Sequence, residues 1–167
     1  MRRLIWPVLF LFLVVVQGAA SVFYTGWLSF DLPLLAIYSY ALLKGKLFGA
    51  AVGLAVGLVQ DAMTTGIFGF HMLTRTVIGY FIGAGKEKIF KDKLSLHAAT
   101  IGICSAAIRF LYWWIEVIRS GGRWGLFLDF SWASIGYCLG NMLLIVPMFL
   151  VVKWLYIWTQ KDEITYK

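Results

Sequence analysis

The stretch Gly45-Lys-Leu-Phe-Gly49-Ala-Ala-Val-Gly53-Leu-Ala-Val-Gly57-Leu-Val-Gln-Asp61 decides how this chain is read. Glycine recurs every fourth residue, and an acid stands on the next step. Ten residues later His71-Met-Leu-Thr-Arg75-Thr-Val-Ile-Gly79-Tyr-Phe-Ile-Gly83 keeps the same interval with a base, a cation and two glycines. Residues four apart lie on one face of a helix. Several glycines in one helix are unfavourable in water. Between helices in a bilayer, small residues on one face let two backbones approach closely. The two stretches therefore predict a tightly packed hairpin of membrane helices whose touching faces carry Gly49, Gly53, Gly57, Gly79 and Gly83.

Composition extends that reading to the whole chain. Of 167 residues, 61% are hydrophobic and 14% charged, and mean hydropathy is +0.82; a soluble domain is nearer a quarter charged. Six apolar segments follow one another at about 4–24, 27–43, 47–63, 67–84, 94–118 and 130–152. Each is near the ~20 residues that cross a bilayer, and in lipid each must be helical to pair its own backbone. The expectation is an all-α, polytopic integral membrane protein forming a single transmembrane domain over 1–167. The second segment, opened by Asp31 and Pro33, is short, and both a five-span chain and a re-entrant course remain open for it.

Placing the N-terminus inside puts Arg2, Arg3, Lys44, Lys46, Lys86, Lys88, Lys91, Lys93, Lys153, Lys161 and Lys167 on the cytoplasmic side and Arg119 and Arg123 outside. Eleven against two is the asymmetry expected of six spans with both ends in the cytoplasm. The net charge of +7 is thus distributed as a topology signal between apolar runs, not as a nucleic-acid-binding face. Gly18-Ala19-Ala20 before Ser21 resembles a signal-peptide cleavage site, but the apolar run continues through Val22 and Phe23, as a retained span does. The loop 86–93 divides two three-span halves, with no sequence repeat across it.

Charged groups within spans are costly and pair or face the interior. By depth along the helices, Asp61 and His71 are level and Arg75 lies one turn deeper, which predicts pairing of Asp61 with Arg75. Two roles stay open for the cluster: a polar cavity, or an ion pair locking the hairpin. Arg109 is also deep and has Glu116 or Asp61 as possible partners, while His97 sits near the inner end and is expected to be wet. Ala98, Gly102 and Ala106 form a further small-residue stripe, Gly136 and Gly140 stand beside Asn141, and Pro147 should kink the last helix. Cys104 and Cys138 are buried thiols without metal-site spacing. No catalytic motif occurs and no metal or other cofactor is implied, so the chain is read as a non-enzyme.

The order Asp31-Leu-Pro33, Ala41-Leu-Leu-Lys-Gly45, Gly49, Gly53, Gly57-Leu-Val-Gln-Asp61, Gly69-Phe-His71 and Gly79-Tyr80 resembles the MreD family of bacterial rod shape-determining proteins over about residues 31 to 85. That resemblance implies a multi-pass protein of the bacterial cytoplasmic (inner) membrane that serves the rod complex in cell elongation and peptidoglycan synthesis. It implies an MreC-like partner and, through it, MreB filaments and the RodA–transpeptidase synthase, besides membrane lipids. It also implies a fold similar to the six-helix substrate-binding component of energy-coupling-factor vitamin transporters. That component supplies the alternative function, with Trp113, Trp114, Trp124 and Trp132 near the outer face as a pocket lining; an aromatic interfacial belt is the plainer account of these residues. An ion carrier using Asp61, Arg75 and Arg109 is a third class, poorly provided with acids for a relay.

Overall fold

The structure, a computed structural model, describes residues 4–23, 27–86, 94–121 and 127–165. Among them all the regular structure is α-helical, in six main helices: α1 (Ile5–Phe23), α2 (Leu32–Lys44), α3 (Lys46–Met63), α4 (Phe70–Ala84), α5 (Leu94–Arg119) and α6 (Phe127–Thr165). By length and apolar composition three are able to cross a membrane, at Lys46–Met63, Leu94–Arg119 and Phe130–Gln160. Most of the dividing loop, 87–93, lies outside the described residues.

The second segment departs most from expectation. Residues 27–31 are not helical, and α2 has only 13 residues, about 20 Å at the standard rise. Asp31 starts the helix by accepting the Leu34 N–H at 3.0 Å, and Pro33 fits the first turn, where no N–H is required. Gly45 ends it: its N–H bonds the Ala41 carbonyl at 2.8 Å. With φ at 91° and ψ at −178°, Gly45 holds a conformation open essentially to glycine alone. The chain reverses on that residue straight into α3.

The short helix is the centre of the molecule. Every residue from Pro33 to Leu42 is buried, as expected of a helix that is apolar all round. One face packs with Phe70, Ile82, Ile101, Ile145 and Phe149; the other, through Ala36, Ile37 and Tyr40, packs with Phe10, Val14, Val56 and Val152. The non-helical residues before it run along α6, where a methyl group on Gly136 or Gly140 would strike the carbonyl oxygens of Trp27 and Ser29. Irregular backbone within a membrane-type core is tolerated where protein covers it, and these two glycines form the cover.

The glycines of α3 and α4 meet backbone to backbone. A Cβ on Gly49 would strike the Gly79 carbonyl, one on Gly53 the Arg75 carbonyl, and one on Gly83 the backbone of Gly45 and Lys46. At Gly57 it would lie 2.5 Å from the Met72 Cα. α4 begins at Phe70 rather than 67, and α6 runs past the expected 152 to Thr165 through Pro147. Outer faces carry exposed apolar side chains such as Phe81, Ile103 and Leu143.

The α2–α3 turn, the end of α4, the start of α1 and the last turns of α6 gather at one end. There Trp6 packs on Tyr40 at 4.7 Å and the Lys44 ammonium lies 4.8 Å from the centre of the Tyr156 ring.

Replacing Gly53 by Ala should suffice to separate α3 from α4, because the neighbouring atom is rigid backbone. A loss of about 1–3 kcal/mol, the usual range for overpacking, is expected as a lower melting temperature and a smaller monodisperse fraction in detergent chromatography. Gly18→Ala, which meets no atom within 4 Å, should match the parent protein. Equal behaviour of the two variants would show that α3 and α4 do not touch at Gly53.

Candidate functional site

At the start of α2 the Asp31 carboxylate accepts from Arg75 Nη2 and from the Tyr137 hydroxyl at 2.9 Å. Its second oxygen takes the Leu34 N–H. Arg75, 1% exposed, donates Nε–H to the Gln60 side-chain oxygen at 3.1 Å. The Asp31 backbone N–H donates to Asn141 at 2.8 Å, and the Asn141 amide donates to Ser105 at 2.9 Å. Gln17 closes the other flank, donating to the Phe30 carbonyl and accepting from the Leu32 N–H, both at 3.0 Å. One polar junction thus draws a side chain from every helix: Gln17 from α1, Gln60 from α3, Arg75 from α4, Ser105 from α5, and Tyr137 and Asn141 from α6, all around the cap of α2.

Two further polar sites lie apart from it. Asp61, 3% exposed, accepts the His71 and Met72 backbone N–H groups at 3.0 and 2.9 Å and meets His71 Nδ1 at 2.9 Å. Gly69 at the start of α4 has no side chain to cap it. The carboxylate supplies that cap from the neighbouring helix and sits on the positive end of the α4 dipole. Arg109 donates to the Ser134 hydroxyl at 3.1 Å, with its guanidinium 4.5 Å from the centre of the Phe130 ring and 5.8 Å from that of Tyr137. Such stacking satisfies a guanidinium while its stem stays apolar.

The four residues Asp61, His71, Arg75 and Arg109 are therefore not one cluster. Asp61 meets His71, whereas Arg75 reaches past it to Asp31; the expected Asp61–Arg75 pair is replaced by two separate contacts. The physical reason is that Asp61 is taken up by the first turn of α4, with His71 level with it, while Arg75, one turn deeper, faces the start of α2 and finds Asp31 there. Arg109 meets neither Glu116, which is exposed and 3.8 Å from Arg119, nor Asp61. His97 is buried rather than wet: Nδ1 is 3.3 Å from the Tyr38 hydroxyl, and the ring stacks on Phe149 at 4.7 Å. Cys104 and Cys138 are free and partly buried. Among the described residues no three His, Cys, Asp or Glu side chains stand together as metal ligands.

The model of the rod shape-determining protein MreD family matches residues 1–157. The chain belongs to the MreD family. No curated protein and no solved structure matches it. Family membership makes this a rod-shape-determining membrane protein, and its three long apolar helices agree with residence in a membrane.

In this MreD-family chain the central acid, Asp31, stands at the head of the matching segment, yet pattern alone marks it only as a helix opener. The clue available in the sequence was an acid two residues before a proline inside an apolar run, joined by the isolated polar residues Gln17, Gln60, Ser105 and Asn141.

Asp31→Asn should leave the Arg75 cation buried without a counter-charge and lower stability by about 3–5 kcal/mol. Asp61→Asn keeps one capping oxygen but loses the charge and the acceptor for one of the two N–H groups, and should cost less, about 0.5–2 kcal/mol. In double-mutant cycles, Arg75→Gln should rescue Asp31→Asn and should not rescue Asp61→Asn. Thermal melts in detergent give the answer, and rescue of Asp61→Asn alone would overturn the assignment of partners.

Proposed function

We propose that the protein is a non-enzymatic scaffold of the rod elongation machinery. It crosses the cytoplasmic membrane six times with both termini inside, and it ties an MreC-like protein to MreB filaments and to the RodA–transpeptidase synthase. The observation that carries this reading is the inward direction of the polar chemistry. The deep polar side chains bond one another and fasten helix to helix, leaving apolar outer faces for partner helices. On this reading Asp31, Arg75, Asp61 and the glycine stripes hold the bundle's shape, and Arg109 fixes the far ends of α5 and α6.

The collection of basic groups at one end supports the proposed orientation. The shorter helices fit a six-pass course when α2 is counted together with the non-helical residues before it. The transporter alternative has no comparable support. Trp113 packs with Phe110 and Phe130, with ring centres 6.0 and 6.4 Å away, and Trp132 stacks on Trp27 at 5.1 Å. Trp114 is exposed, and Trp124 lies outside the described residues.

Purification of the tagged protein from native membranes should recover an MreC-like protein together with synthase subunits. Recovery of a transporter ATPase in their place would refute the scaffold. Reporter fusions at Gly66 and Gly121 should read external and one at Lys167 internal; an internal signal at Gly121 would rule out the six-pass course.

A further inference from the structure

A groove of about 760 Å³ opens between α1, α3 and the last turns of α6 at the basic end. That volume is within the ~300–1,000 Å³ typical of small-molecule sites. Its floor is Tyr40 and Val56 and its walls include Phe10, Leu11 and Phe48; Leu11 and Phe48 are exposed, so the groove is open to the side. Lys44 stands at its mouth, held over the Tyr156 ring.

A second, smaller hollow of about 380 Å³ adjoins it, sharing Lys44 and Phe48 and adding Lys46 and Lys86. Lys86 Nζ lies 3.8 Å from where a Gly45 Cβ would stand. None of these three ammonium groups has an acidic partner among the described residues. The same hollow receives the start of α3, where Gly45 provides no side-chain cap. The first-turn N–H groups of an 18-residue helix point out of its end with no partner inside the helix.

We infer that this is a binding site for one anionic glycerophospholipid, with an acyl chain in the groove and the phosphate among Lys44, Lys46 and Lys86. An apolar trough alone suits lipid and partner helix equally. The cation cluster at one end of it, joined to a positive helix terminus, matches a molecule that is apolar along its length and anionic at one tip. Basic pockets between helices on the cytoplasmic side are suited to such headgroups. The site lies away from the Asp31 junction, so its occupancy is separable from the bundle's internal bonding.

The test uses the purified full-length protein in mild detergent with phosphatidylglycerol or phosphatidylcholine, reading retained lipid by native mass spectrometry and stability by thermal melt. Phosphatidylglycerol should be retained at least ten-fold over phosphatidylcholine. Lys44→Gln with Lys86→Gln should reduce that preference to near parity. Ala55→Phe, which places a ring in the groove from an exposed position, should lower phosphatidylglycerol retention several-fold without changing the lipid-free melt. Should the double variant fail to purify, Lys46→Gln, at an exposed position, should still lower the preference several-fold. Equal retention of the two lipids by the parent protein, or an undiminished preference in the lysine variants, would overturn the site. An equal melting shift from inorganic phosphate would show a free-anion site and overturn the lipid assignment.

Discussion

A guanidinium enclosed on all sides by protein and by helices built for lipid needs a fixed counter-charge. Desolvating one such ion costs several kcal/mol even after relaxation, and Arg75 is 1% exposed. Asp31 answers it, and the position of Asp31 explains much of the rest. A carboxylate is best stabilised at a helix start, where N–H groups and the dipole face it. α2 must therefore begin at Asp31, well inside the bundle, and the residues before it must run without helical hydrogen bonds. Gln17 and Asn141 supply the bonds that this backbone lacks. Placing one ion pair thus recruits all six helices.

The same economy governs the α3–α4 hairpin. Glycine faces bring the two backbones into contact, and that closeness puts Asp61 against the first turn of α4. A larger residue at Gly57 would hold the carboxylate away from the N–H groups it caps. The glycines and the acid that follows them on the same interval are therefore one device: the stripe sets the distance and Asp61 fixes the register. Reaching across to α2, Arg75 joins this hairpin to the central junction through Gln60 and Asp31.

Local periodicity made the hairpin legible, because glycine spacing reports directly on which face touches. Membrane class was equally legible from composition, and the family from the order of short motifs. The ion pairs were not. Depth correctly set His71 level with Asp61, but it does not say which way the long Arg75 stem turns, and the guanidinium turns away from Asp61 to Asp31. Asp31 lies 44 residues from Arg75, and no spacing rule reaches across that interval. His97 misled for a similar reason: an inner-end position suggests water, but Tyr38 and Phe149 from α2 and α6 enclose it. The non-helical run 27–31 was hidden because an irregular apolar peptide and an apolar helix have the same composition; the facing glycines, Gly136 and Gly140, reveal it, and they lie in another helix.

An interior whose polar groups are engaged with one another has little left to offer a substrate. Among its described buried side-chain atoms, Arg75 Nη1 is the one without a hydrogen-bond partner, and its neighbouring nitrogens are committed to Asp31 and Gln60. On the proposed reading recognition falls to the periphery, where apolar ridges such as Phe81, Ile103 and Leu143 are exposed and the lysines collect at one end. These ridges are the surfaces that the proposed scaffold would offer to partner helices. The buried charges accordingly serve shape: replacing the pair by apolar residues of equal volume could preserve stability, but it would remove the directional bonds that fix where α2 begins.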